Sequence, residues 1–204
     1  MATPNLGETT ASTTKRPPVS ARRAHAIDTY MDLVLEGHLP PTIEQVASRS
    51  GISVPTLFRY FGNVEELLKH AAARSSERHR HLFRIPEIGR GERDERIRRF
   101  AGLRVDLWEK THLLARLLRS SALQKPEAAQ MLAFARKVMA DQVRTHFDAE
   151  LRALSRAPRE DAVATISTLT SVESWEQFRL VHRRSTVQTR RAWSQAIDRA
   201  LRDR

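Results

Sequence analysis

The chain has 204 residues and a mass of 23.3 kDa, enough for one large domain or two small ones around a sizeable core. No cysteine is present, which excludes disulfide frameworks, thiolate zinc sites, iron–sulfur clusters and cysteine nucleophiles. The formal net charge of +11 and pI near 11.1 favour polyanionic partners such as nucleic acid, although the excess is only +2 over residues 1–80 and +9 over residues 81–204.

Uninterrupted apolar runs are far shorter than the ~20 residues of a membrane helix, and no apolar segment follows the N-terminal charges. A cytoplasmic protein with no membrane partner is therefore expected. Residues 1–19, rich in Thr, Ser, Pro and Gly, read as a disordered arm. Beyond it the apolar spacing is mostly three and four, so the fold class is all-α, with about nine helices.

The first helix spans about 20–36 and stops at Gly37, with Pro40 and Pro41 beyond. Thr42 caps a second that ends before Gly51, Ser53 caps a third reaching about Tyr60, and Asn63 caps a fourth continuing to about Phe83. Pro86, Gly89 and Gly91 then interrupt the chain. Further helices are predicted near 92–109, 112–123, 126–154, 159–181 and 186–203. The β-branched stretch from Thr165 to Val172 repeats Ile166, Leu169 and Val172 every third residue, which favours helix over strand.

Helices two and three fit a helix-turn-helix. Val46 is apolar, Ala47 is small where the helices approach, Gly51 supplies positive φ at the turn, and Ile52, Val54 and Leu57 continue the apolar side. Pro55 falls in the first turn of helix three, where its missing amide has no intrahelical partner to lose. Ser53, Val54, Pro55 and Thr56 then lie at the end of a recognition helix that reaches base edges.

The string TIEQVASRSGISVPTLFRYFGNVEELL, Thr42 to Leu68, resembles the N-terminal domain of the TetR family of bacterial transcriptional regulators. The likeness covers about residues 20–70. The remainder is similar only in length, helix count and the Trp-bearing segment VESWEQFRL. The resemblance implies that Thr42 is a phosphate-binding cap, that Ser53, Pro55, Thr56 and Arg59 lie on or beside the groove-facing helix, and that Tyr60 touches a backbone phosphate. Two positions depart from the pattern: Phe58 replaces the usual Tyr, and Val64 the usual Lys. Each loses a phosphate contact of about 1 kcal/mol, which Arg49, Arg59 or the arm is expected to offset in part.

The resemblance further implies that residues 71–204 bind a small-molecule effector and form a homodimer. Arg104, Trp108, His112, Phe134 and Glu173 are the candidate ligand contacts. The last two helices are expected to pair with their copies through Val163, Ile166, Leu169, Val172, Trp193 and Ile197. Ten arginines between Arg74 and Arg104 read as a solvated face, because Glu92–Arg96, Asp94–Arg98 and Glu95–Arg99 are i,i+4 pairs with the acid first. The eight histidines form no metal pattern, and neither a catalytic motif nor a cofactor signature appears. The expected function is a repressor that holds a palindromic double-stranded operator as a dimer and is released by its effector. The rival reading is a non-enzymatic helical scaffold without specific DNA binding.

Overall fold

The computed structural model describes residues 18–202. Residues 1–17 and 203–204 and the side chains of Ser75 and Ser76 lie outside the described residues, so the structure does not address the expected disorder of residues 1–17. The described residues form ten α-helices and no strand. In order these are α1 (Val19–Leu35), α2 (Ile43–Ser50), α3 (Val54–Phe61), α4 (Val64–His79) with a 3₁₀ turn Arg80–Phe83, α5 (Arg93–Ala122) and α6 (Pro126–His146). There follow α7 (Asp148–Ala153), α8 (Arg156–Leu169), α9 (Val172–Glu176) with a π turn Gln177–Val181, and α10 (Thr186–Ala200). Among the described residues no helix is long and apolar enough to cross a membrane.

Two apolar clusters organise the chain. Ala26, Tyr30, Met31 and Val34 of α1 pack with Val46, Ile52, Leu57, Phe61 and Leu67 to make the core of a small N-terminal head. Phe100, Val105, Leu107 and Trp108 of α5 pack with Phe147, Ile166, Trp193 and Ile197 to make the core of a larger body. α5 belongs to both. Its C-terminal part delivers Leu117 to the head core, flanked by Leu113 and Leu114, and at 30 residues it is ~45 Å long.

Four elements differ from the sequence expectation. The two helices predicted at 92–109 and 112–123 are one, because nothing at Lys110–Thr111 breaks it. Thr111 Oγ1 donates to Leu107 O at 2.7 Å and His112 Nδ1 to Trp108 O at 3.0 Å, so both polar side chains are satisfied within the helix. The predicted helix 126–154 is interrupted at Phe147. There His146 and Phe147 both turn into the core, each with no exposed surface. The predicted helix 159–181 starts earlier, at Arg156, and breaks at Thr170, whose carbonyl accepts the indole N–H of Trp108 at 2.9 Å. Finally, Val163, Ile166, Val172, Trp193 and Ile197 do not form a free face for a partner: each is at most 6% exposed within a single chain. Leu169 is half-buried against the same core.

The arginine-rich stretch is also not a uniformly solvated face. The Glu95–Arg99 pair forms at 3.9 Å, and Arg99 additionally donates to the carbonyls of Glu87 and Arg90. Arg96 turns away from Glu92 into the body, where it pairs with the largely buried Glu150 and donates to His146 O at 2.8 Å. Arg74 pairs with Asp28 at 2.7 Å and Arg93 with Asp198 at 2.5 Å. Much of the positive charge is consumed internally.

Because Arg96 and Glu150 are both nearly buried, removing one leaves an uncompensated charge in the core. Glu150→Ala should lower the unfolding free energy by about 3 kcal/mol. Asp141→Ala, which breaks the exposed pair with Lys137, should lower it by about 0.5 kcal/mol or less. Urea titration of the two variants checks the contrast.

His146 gives a pH dependence with a definite sign. Its Nδ1 accepts from Gly89 N at 3.1 Å and its Nε2–H donates to Arg96 O at 3.2 Å. Burial, with Arg99 and Arg96 nearby, holds its pKa below the ordinary 6.5. As pH falls below about 6.5 the unfolded chain takes up a proton that the folded chain refuses, so this residue should erode stability down to its folded pKa and have no such effect above 6.5. The stability difference between the wild type and His146→Gln should shrink steadily between pH 7 and pH 5; a constant difference would contradict the assignment.

Candidate functional site

The head is shaped by local chemistry that places one short helix at the surface. The hydroxyl of Thr42 accepts from Gln45 N at 3.2 Å while the Gln45 side chain accepts from Thr42 N at 2.8 Å, a reciprocal box that starts α2. Val46 faces inward with no exposed surface, and Ala47 packs beside it. Gly51 ends α2 in the left-handed conformation at φ 65°, which a Cβ would strain, and turns the chain so that Ile52 enters the core.

On α3, Leu57 and Phe61 face inward. Ser53, Pro55, Phe58 and Arg59 are exposed, with Val54, Thr56 and Tyr60 half-buried. Ser53 flanks α3, but its hydroxyl does not cap the helix as expected. It meets the Thr56 hydroxyl at 2.9 Å instead, at a helix start that already lacks one N–H at Pro55.

Around this helix three arginines have no carboxylate partner among the described residues, one of them, Arg23, donating to His70 Nε2 at 3.2 Å. Arg59 and Arg22 approach the Tyr60 ring at 5.9 and 6.0 Å, Arg23 lies 5.2 Å over Phe61, and none of the three has an acidic partner among the described residues. Arg49 is different. It is held bidentately by the Glu36 carboxylate at 2.8 Å, on a half-exposed part of the head. Phe58 is 41% exposed and is no core residue, while Val64 opens α4 half-buried.

A cavity of about 1130 Å³ lies between head and body. Its walls come from Tyr30, Met31 and Val34 of α1, Leu68 and Ala72 of α4, and Trp108, Thr111, Leu114 and Leu118 of α5. Met131, Ala135 and Met139 of α6, four residues apart on one face, and the segment Ser167–Glu173 complete it. Of the five residues expected at a ligand site, Trp108 and Glu173 line this cavity. The other three do not. Phe134 is 68% exposed on another face of α6, and His112 is stacked on Trp175 at 4.5 Å. Arg104 is buried one turn beyond Trp108, donating to Gln142 Oε1 at 2.8 Å and lying 4.9 Å over Phe100. Lacking a carboxylate partner among the described residues, its guanidinium is pulled down to about 10 by burial. Sequence reasoning missed Tyr30 and Leu68 because their apolar spacing shows only that they are buried, not which neighbour they face.

Residues 39–71 match the sequence profile of the bacterial regulatory proteins, tetR family. The matched stretch holds α2, Gly51, α3 and the first turns of α4, so this part of the head is similar in sequence to that family. The likeness of fold extends well past it: a crystal structure of a TetR-family transcriptional regulator from Rhodococcus sp. superposes with a TM-score of 0.62, covering 89% of this chain and 100% of that chain at 20% identity. No curated protein matches the sequence. The profile ends within α4, so the TetR assignment rests on the helices that build the surface helix, and the body shares a fold with such proteins rather than a sequence.

The different local roles of Thr42 and Ser53 in the head are open to measurement. Thr42→Ala, which removes a formed cap, should lower stability by about 1 kcal/mol, whereas Ser53→Ala should change it by only about 0.3 kcal/mol. Thermal unfolding of the two variants checks this.

Proposed function

We propose that this chain is a ligand-responsive transcriptional regulator that binds a palindromic operator in double-stranded DNA as a homodimer and represses until an effector releases it. The observation that carries the reading is α3 itself. A TetR-type helix held by Leu57 and Phe61 turns Ser53, Pro55 and Arg59 outward, beside a cluster of unpaired arginines. In this reading Ser53, Val54, Pro55 and Thr56 meet base edges, and Thr42, Arg59 and Tyr60 meet phosphates. The protein acts in the cytoplasm, without enzymatic chemistry.

Dimerisation is supported by the size of α3, whose eight residues span too few base pairs for a long operator. Two heads one helical turn (~34 Å) apart would read a palindrome. The core position of Ile197 and Trp193 removes them from any interface. The exposed Leu180, Val181 and Val187, at the turn before α10 and its start, are apolar surface still available to one. The ligand response is supported by the position of the cavity, walled by α1 and α4 of the head on one side and by the body on the other. A molecule that favours one spacing of the heads over another changes DNA affinity by its differential affinity for the two states.

Duplexes selected from a random pool provide the operator for the test. Thr56→Ala should narrow the gap between operator and random DNA, whereas Arg59→Ala should weaken both and reduce the slope of log K against log salt by about 0.9 per half-site. Val64→Lys should steepen that slope by about the same amount, and Phe58→Tyr should tighten both duplexes with little change in slope. Sedimentation at micromolar concentration should give twice the 23.3 kDa of one chain. Failure of the pool to enrich any duplex would favour the scaffold reading instead.

A further inference from the structure

The outward side of α3 before Arg59 carries no group that reads a base edge by paired hydrogen bonds. Its side chains are those of Ser53, Val54, Pro55, Thr56 and Phe58. In the major groove guanine is read by Arg or Lys, adenine by Asn or Gln and cytosine by a carboxylate, and none of these types occurs among the five. The hydroxyls of Ser53 and Thr56 meet at 2.9 Å, so one of them spends its proton on the other. The side-chain amides elsewhere in the head are committed too. Gln45 is held by Thr42 N and by His38, and Asn63 accepts from Glu66 N at 2.8 Å to cap α4.

What α3 offers instead is apolar surface. Phe58 is 41% exposed, the one exposed phenyl ring among the described residues of the head. Val54 and Pro55 precede it by four and three residues, so the three fall on one side of the helix, with Pro55 exposed and Val54 half-buried. Leu57 and Phe61 occupy the core on the other side, so this patch cannot be turned inward without removing them. Arg22, Arg23 and Arg59 gather about Tyr60 and Phe61 of the same helix, without acidic partners among the described residues. Such positive surroundings suit a polyanion.

We propose that Phe58, with Val54 and Pro55 beside it, reads the 5-methyl groups of thymines in the major groove, so that A·T pairs at those positions specify each operator half-site. This rests on the reading of α3 as the helix that meets DNA. Thymine is the one base that presents a methyl group in the major groove. Covering that methyl with a ring removes apolar surface of both partners from water, a gain that no other base returns. In this arrangement the arginines supply attraction to the backbone, and the apolar patch supplies the choice of base.

The test uses the full chain and the operator enriched from a random pool, with each thymine in turn replaced by uracil. That exchange removes the methyl and keeps every hydrogen-bonding group. At one or more positions uracil should weaken wild-type binding about fourfold, the worth of burying one methyl group, and about fifteenfold when both half-sites are changed. The penalty should be the same at low and high salt, unlike the loss of a phosphate contact. Phe58→Ala, at an exposed site, should unfold at the wild-type temperature and bind thymine and uracil equally at one such position in each half-site. Phe58→Tyr, which keeps the ring, should retain the difference. Wild-type affinity for every uracil duplex, or a penalty undiminished at every position in Phe58→Ala, would overturn the assignment and leave DNA binding standing. Failure of the pool to enrich any duplex would overturn the reading of α3 itself.

Discussion

The burial of α5 in two cores at once is the constraint on which the rest of the molecule depends. Phe100, Val105 and Trp108 commit its N-terminal half to the body, and Leu117, with Leu113 and Leu114, commits its C-terminal half to the head. A helix is stiff along its axis, so the two cores are held at a set separation. The space between them cannot close without tearing one core open. The cavity lies along that stretch, and its walls necessarily come from both bodies. A site that touches both is the physical requirement for a ligand to bias their relative arrangement.

Within the head, buried and exposed side chains are divided between opposite faces of the same short helices. Leu57, Phe61 and Val46 hold the fold by burial, which leaves Ser53, Pro55 and Arg59 free of structural work. Charge is divided in a comparable way. The body carries most of the excess arginine, yet Arg93, Arg96, Arg119, Arg179 and Arg190 are tied to carboxylates, and Arg104 and Arg159 to polar groups of the chain itself. The head has a smaller excess, but its Arg22, Arg23 and Arg59 have no acidic partners among the described residues. Arg98, Arg183, Arg184, Arg191 and Arg199 of the body also have no acidic partner among the described residues, so net charge and pairing together leave unpaired arginines in both parts.

The parts legible in sequence are those set by neighbours within a few positions. The box at Thr42, the cap at Asn63, the left-handed turn at Gly51 and the early Pro55 all depend on local backbone chemistry, and each occurs where the spacing puts it. The illegible parts are those where a distant group competes with the local pattern. Thr170 sits in a good helical repeat, but Trp108, 62 residues away, draws off its carbonyl and the helix ends there. Phe147 breaks a helix with no glycine or proline near the break, because core burial of two adjacent rings outweighs continued helical geometry.

The sequence by itself determined the all-helical class, the helix-turn-helix and the surface residues of its second helix, because these follow from periodicity and capping over a turn or two. Tertiary structure alone decided which apolar faces are core and which remain open. Ile166, Trp193 and Ile197 have the spacing of an interface and the burial of an interior. It also decided that Tyr30, on the first helix, lines the cavity with Trp108, while Arg104 and Phe134 do not. An amphipathic pattern specifies that a face is removed from water. It does not specify what removes it, since burial is non-directional and any apolar neighbour satisfies it equally.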